Sequence, residues 1–172
     1  IIVKGGSVME EIYLRRSIRR YTDRNISDED MKKILKAGMN APSAHNQKLY
    51  DLVVVKNKDT LKKLANSGAY THMLEYANAA IIVCSVADDT VPYWQSDCGA
   101  VTENILLEAT SLGIGSCWIG GYPNTELTTK EKEILEIPKN YEIFSTISLG
   151  YPQDKKQPNN NYYEDKVHYE KF

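Results

Sequence analysis

The sequence predicts a single domain of mixed helices and strands, α/β or α+β in class. Three observations carry this. At 172 residues the chain has the size of one domain, for which about 150 residues is typical. Two β-branched runs, DLVVVK at Asp51–Lys56 and AAIIVCSV at Ala79–Val86, have the composition of strands. Apolar residues at helical spacing stand around them, and no segment repeats.

The first helix-like run is MEEIYLRR at Met9–Arg16, acidic first and basic last as the helix dipole favours. SIRRYTDRNI then breaks the pattern. Ser27 is placed to cap a second helix, with acidic residues in its first turn and Met31, Ile34, Leu35 and Gly38 on one face. That helix must stop before Pro42, because proline disfavours helix at the residue before it. APSAHNQ, Ala41–Gln47, is a loop of small and amide side chains. Asp51–Lys56 reads as a buried strand. Asp59 or Thr60 is expected to cap a third helix whose apolar side holds Leu61, Leu64 and Ala65. Met73, Leu74 and Ala77 suggest a further short helix. Ala79–Val86, apolar without alternation, has the pattern of a strand buried on both faces. Gln95–Leu112 is the longest helical pattern, with Val101, Ile105 and Leu112 in phase, Ala109 on the adjoining row and Gly113 placed at its C-terminal end. Ile114–Ile119 is a short extended segment that ends at Gly120 and Gly121. Thr128 and Glu131 have capping-box spacing for a helix through Leu135, and Glu142–Leu149 is a final strand before Gly150.

Hydrophobic residues make up 42% and charged residues 26% of the chain, which excludes a disordered polypeptide. A net charge of −2 leaves no global field toward nucleic acid or anionic membrane. The longest apolar run, Ala79–Ala87, is interrupted by Ser85 and falls far short of the roughly 18 residues a membrane span needs. No long apolar segment follows the first charge, so no secretory signal is expected. Cys84, Cys98 and Cys117 form no CxxC pair and read as a reduced, cytoplasmic thiol set. His45, His72 and His168 show neither HxxxH nor HExxH spacing, so no metal site is expected.

The basic residues are sixteen Lys and five Arg, and all five Arg fall in RRSIRRYTDR at Arg15–Arg24. Lysine serves wherever a positive charge suffices. Arginine is confined to one run, where its planar, multi-donor fork would suit phosphate or carboxylate. A helix end carrying solvated cations is the plainer alternative, and the cluster alone leaves both open.

Ile1–Val8 contain Gly5-Gly6-Ser7 ahead of Met9 and read as an expression remnant or a loose N-terminal arm. Residues 9–152 form the expected domain. Residues 153–172 are polar yet carry Tyr162, Tyr163, Tyr169 and Phe172, more aromatic surface than a free tail can use. They are expected to be an arm that docks on its own surface or on a second subunit.

Several loops recur together in a known order. RRSIRRY at Arg15–Tyr21, APSAHNQ at Ala41–Gln47 and LLEATSLGIGSCWIGGY at Leu106–Tyr122 closely resemble the nitroreductase family of FMN-dependent oxidoreductases, in its short, compact branch. LGYP at Leu149–Pro152 and KVHYEKF at Lys166–Phe172 extend the resemblance over nearly the whole chain from Met9. The resemblance implies an α+β sandwich with a mixed central sheet flanked by helices. It also implies a homodimer with FMN at the subunit interface and a C-terminal arm exchanged with the partner. The implied activity is that of an enzyme in which NADH or NADPH donates hydride to flavin N5. A small-molecule acceptor, a nitroaromatic, quinone or similar conjugated compound, then takes the electrons in a ping-pong sequence. Neither nucleic acid nor membrane is an expected partner.

The resemblance also assigns residues. Arg15 and Arg19 would pair with the FMN phosphate, while Ser17 and the backbone of Arg16 would hold the ribityl chain and ring edge. Pro42, Ser43 and Ala44 would approach the flavin from the partner subunit, and Asn46 would reach the phosphate or ribityl side. Trp118, Ile119, Gly120 and Gly121 would run beside the ring, with the N–H groups of the two glycines facing N5. Arg20 and Arg24 are left as surface charge, and Tyr93, Trp94 and Tyr122 as candidates for either a substrate mouth or packing. Family members commonly carry Lys or Arg in the C-terminal arm. Here Asn161 stands at that place, so weaker FMN retention is expected unless Lys155 or Lys156 substitutes. Met73 aligns where larger members place a Lys beside the flavin N1–O2 edge. A flavin-binding module without turnover is the alternative. An anion- or nucleic-acid-binding use of the Arg run is opposed by the acidic overall balance.

Overall fold

The computed structural model describes residues 9–87 and 91–172, so the expectations for Ile1–Val8 lie outside the described residues. Four strands, β1 (Tyr50–Val55), β2 (Ala79–Val86), β3 (Gly115–Gly120) and β4 (Tyr141–Gly150), form one sheet in the order β1-β2-β4-β3. Five helices accompany it: α1 (Glu10–Leu14), α2 (Asp28–Met39), α3 (Lys58–Ala65), α4 (Trp94–Ser111) and α5 (Thr125–Leu135). The uninterrupted apolar run of β2 is two interleaved stripes. Ala79, Ile81 and Val83 pack with Met31, Ile34, Val101 and Ile105 from α2 and α4. Ala80, Ile82 and Cys84 pack with Leu61, Leu64 and Leu127 from α3 and α5. A strand with helices on both faces has no polar side, which is why its sequence does not alternate.

The predicted α+β sandwich is therefore present, with one difference in the sheet. Among the described residues all three strand pairs are antiparallel, and parallel pairing is limited to one bridge, Ser17 with Ser116, on the outer edge of β3. The segment leaves that edge because Ile18 turns inward to join Tyr21 and Ala77 in a small apolar cluster.

Caps follow the sequence where the capping side chain is the first one able to reach. Ser27 Oγ accepts the Asp30 N–H at 3.0 Å and starts α2. At the end of α4, Gly113 (φ 71°) and Ile114 donate to the Thr110 and Ala109 carbonyls at 3.0 and 2.8 Å, a Schellman motif. Two caps differ from expectation. Asn57, not Asp59 or Thr60, caps α3 by accepting the Thr60 N–H at 2.9 Å. Asn124, not Thr128, caps α5 by accepting the Leu127 N–H at 3.2 Å. An asparagine upstream starts each helix earlier and leaves the predicted cap inside it. The strand expected at Asp51–Lys56 is also not a buried one. As the end strand of the sheet it pairs on one side, and of its residues only Val55 is buried.

Strand β4 lies between β2 and β3 and carries three fully buried hydroxyl residues, each tied to a different layer. Ser145 Oγ is hydrogen-bonded to Thr102 Oγ1 of α4 at 2.8 Å, and Thr146 Oγ1 donates to Glu131 Oε2 of α5 at 2.9 Å. Ser148 Oγ meets the Tyr21 hydroxyl at 2.7 Å. Buried polar atoms without partners are costly, so these pairings fix both helices and the Arg-bearing segment to the central strand. All three cysteines are free and buried, and burial pushes the Cys84 and Cys98 thiols up to about 12. No helix among the described residues is long and apolar enough to cross a membrane.

Candidate functional site

A cavity of about 840 Å³ lies beside β3. Its walls are Arg19 and Arg20, the segment from Ser67 to Tyr76, the β3 residues Cys117–Gly120, and Asn124–Leu127 at the start of α5. Among the predicted site residues, Arg19, Trp118, Ile119 and Gly120 line it.

The Arg-bearing segment is held rigidly against the sheet. The Ile18 N–H donates to the Ser116 carbonyl at 2.8 Å, and the buried Tyr21 hydroxyl donates to the Ile18 carbonyl at 2.6 Å. Burial pushes the Tyr21 phenol well above its ordinary value, so it stays a donor. Arg19 is thus fixed between two anchored neighbours. Ser17 sits at the bridge to Ser116, and its carbonyl accepts from Lys156 Nζ at 2.8 Å. The Arg16 guanidinium donates to the Gln157 carbonyl, and the Asn159 N–H donates to the Tyr13 carbonyl at 2.8 Å. The first part of the C-terminal arm therefore runs over the N-terminal segment of its own chain. Asn161, by contrast, is exposed.

These contacts collect positive charge. The Cys117 thiol shows it: burial pushes the thiol up, while Arg19, the Ser17 hydroxyl, Lys156 and Arg15 all act to lower it. Arg15 pairs with Glu103 of α4 at 3.6 Å. Among the described residues, Arg16, Arg19 and Lys156 have no acidic partner. Arg19, Lys156 and Arg15 all act on this one thiol, and an anion with several oxygens would relieve the repulsion among cations gathered around it.

At the end of β3 the two glycines have different reasons to be there. A Cβ on Gly120 would meet nothing within 4 Å, so this stretch of backbone is open to a flat ligand. A Cβ on Gly121 would lie 2.5 Å from the Ile143 carbonyl oxygen, and the Gly121 N–H donates to the Phe144 carbonyl at 2.9 Å. The expectation that this N–H faces a flavin is corrected: packing against β4 claims it. Trp118 remains half-exposed, its ring 5.7 Å from that of Phe144. Trp94 is buried, edge-on to Tyr122 at 5.0 Å, and serves packing. Arg20 pairs with Asp154 at 3.4 Å, and the Arg24 guanidinium lies 3.8 Å over the Tyr151 ring.

The second predicted element is not brought to the cavity. Pro42 and Asn46 are exposed, Ser43 and Ala44 half-buried, and none of the four lines it. Their loop is pinned to α4, on the other face of the sheet, where the Ala44 N–H donates to Asp97 Oδ1 at 2.9 Å. Sequence reasoning found Met73 on the cavity wall but missed Tyr70, His72, Tyr76 and Asn124. Their only signal was a pair of tyrosines around a short apolar stretch, which packing explains equally well. Asp97 was missed because it contacts the loop from 53 positions away.

The family model described as "Putative TM nitroreductase" matches residues 7–171. A relative from Archaeoglobus fulgidus, "Putative NADH dehydrogenase/NAD(P)H nitroreductase", is 48% identical over 95% of this chain and 98% of its own. A solved structure of the same description from Bacteroides thetaiotaomicron superposes with a TM-score of 0.92 at 35% identity, covering 98% of this chain and 100% of that one. A structure described as a nitroreductase in complex with FMN, from Desulfovibrio desulfuricans, gives 0.80 at 27% identity over 98% of this chain and 99% of its own.

Proposed function

The chain belongs to the TM nitroreductase family, and on that premise we propose an FMN-dependent oxidoreductase that carries electrons from NADH or NADPH to a conjugated acceptor. A nitroaromatic or quinone fits best, reduced in a ping-pong sequence. The observation that carries this reading is the pair of cations on either side of Ser17, Arg19 and Lys156, neither with an acidic partner among the described residues, beside a cavity that Arg19 lines and whose β3 wall is open at Gly120. A dianionic phosphate answers the charge, and a planar ring answers the open strand.

When bound, FMN supplies hydride acceptance and onward transfer, chemistry that no side chain here provides. Arg15, Arg19 and Lys156 would hold the phosphate, with Lys156 substituting for the arm cation whose place Asn161 takes. Ser17 and Arg16 would orient the ribityl side. Trp118, Ile119 and Gly120 would carry the ring, with Gly121 holding their strand to β4. Met73 leaves the adjacent wall without charge. Donor and acceptor would use the same cavity, whose wall carries the exposed Tyr70 and Tyr76. Pro42, Ser43, Ala44 and Asn46 complete a site only if a second copy supplies them, which supports a homodimer; the stretch Lys156–Asn159 of the arm stays on its own chain.

The visible spectrum of the purified protein, with mass analysis of any released ligand, tests the cofactor. Anaerobic addition of NADH or NADPH then tests turnover. We expect an oxidised-flavin spectrum that bleaches on reduction and returns when a quinone is added. A flavin that never bleaches would leave a binding module in place of an enzyme.

A further inference from the structure

The loop after α2 holds a shape that its own chain does not use. His45, Asn46 and Lys48 have φ of 52°, 56° and 53°, in the left-handed region that L side chains disfavour. All three side chains are exposed, so no core packing requires the turn. Strain maintained at a surface points to something outside the chain that needs the shape. Two side chains outside the turn's own ladder maintain it. Ser43 Oγ accepts the Lys48 N–H at 3.0 Å, and Asp97 Oδ1 accepts the Ala44 N–H at 2.9 Å. The Ser43 bond is internal to the loop. The Asp97 bond is the one that refers the loop to the rest of the molecule, because Asp97 stands in the first turn of α4 and α4 is bonded to β4 through Thr102 and Ser145. The His45 ring also lies 6.5 Å from that of Tyr93, next to the same turn.

We propose that Asp97 is a positioning residue: its carboxylate fixes the Ala44 amide, and with it the turn through Asn46, in the shape that closes on FMN held by a second copy of this chain. This rests on the FMN reading above. Asp97 lines no part of the cavity of its own chain, so it has no direct contact with FMN held there.

The test is FMN affinity of the full-length protein by fluorescence titration, with fold checked by circular dichroism. Asp97→Ala should raise the FMN Kd about tenfold, the cost of one charge-assisted hydrogen bond. Asp97→Asn keeps an acceptor oxygen and should stay within about threefold of wild type. If Asp97→Ala does not fold, Asp97→Ser suits a first turn but is too short to reach Ala44, and should show the same loss. Mixed dimers add a readout that a merely structural role would not move. Arg19→Ala subunits joined to Asp97→Ala subunits should recover one wild-type-affinity site per dimer, because one cavity is then paired with one intact loop. Unchanged affinity in Asp97→Ala, or mixed dimers without a recovered site, would overturn the proposal. Wild-type protein that binds no FMN would overturn the cofactor reading itself.

Discussion

The Arg15–Arg19 segment lies along β3, with Ser17 bridged to Ser116 and Ile18 buried behind it, whereas the Pro42–Lys48 loop stands at the surface with three residues in the left-handed region. Both resemble the same family's cofactor elements. The first is placed by the core of its own chain. The second is placed by two side-chain bonds and faces outward. On the proposed reading, a ligand that uses both lies between two copies, one giving a rigid floor and the other an adjustable cover.

The largest expected effect lies beneath the floor. Glu131 is fully buried, its Oε1 has no partner, and burial raises its carboxyl from the ordinary 4.5 to about 7, against the opposing Thr146 hydrogen bond. Between those values the folded protein keeps a proton that the unfolded chain has released. Stability is therefore fully present below about 4.5 and falls as the pH rises to about 7, by roughly 3 kcal/mol in all. Urea unfolding at mildly acidic and mildly alkaline pH should show the decline, and Glu131→Gln should flatten it. A wild-type stability that rises over that range would remove the strain from the floor.

Next comes the phosphate contact. Arg19→Ala should weaken FMN about 10- to 100-fold while the protein stays folded, since it removes a charge-assisted donor from a preset position. An unchanged Kd would move the phosphate elsewhere. The paired glycines sharpen the contrast further. Gly121→Ala should cost about 1–3 kcal/mol in urea unfolding, as overpacking against rigid backbone does. Gly120→Ala meets nothing and should stay within about 0.5 kcal/mol. The smallest effect is expected in the loop. Asn46→Gly should change stability by less than about 0.5 kcal/mol, because asparagine already tolerates the left-handed turn. A large loss there would show the loop to be as tightly packed as the floor.

Much of this was legible in the residues, and the failures are physical. Ser27, Gly113 and the run Ala79–Val86 announce themselves because their reasons are local: a cap, a left-handed turn, two buried faces. Thr128 and Glu131 had the spacing of a capping box, but spacing cannot see that Asn124 starts the helix one turn earlier. Asp51–Lys56 had the composition of a central strand, and edge position is a property of the whole sheet. In the site, the confined Arg run includes Arg19, which lines the cavity, and of the two arm lysines Lys156 is the one bonded to Ser17. Asp97 and the wall from Ser67 to Tyr76 carry no pattern of their own and became visible only as contacts.

The central claim is that the cations around Ser17 hold a phosphate and so make FMN the cofactor. Titrating the protein side by side with FMN and riboflavin, at low and high salt, tests it most directly. FMN should bind at least about tenfold more tightly at low salt, with the gap narrowing as salt screens the exposed cations. Equal affinities at every salt concentration would contradict the account.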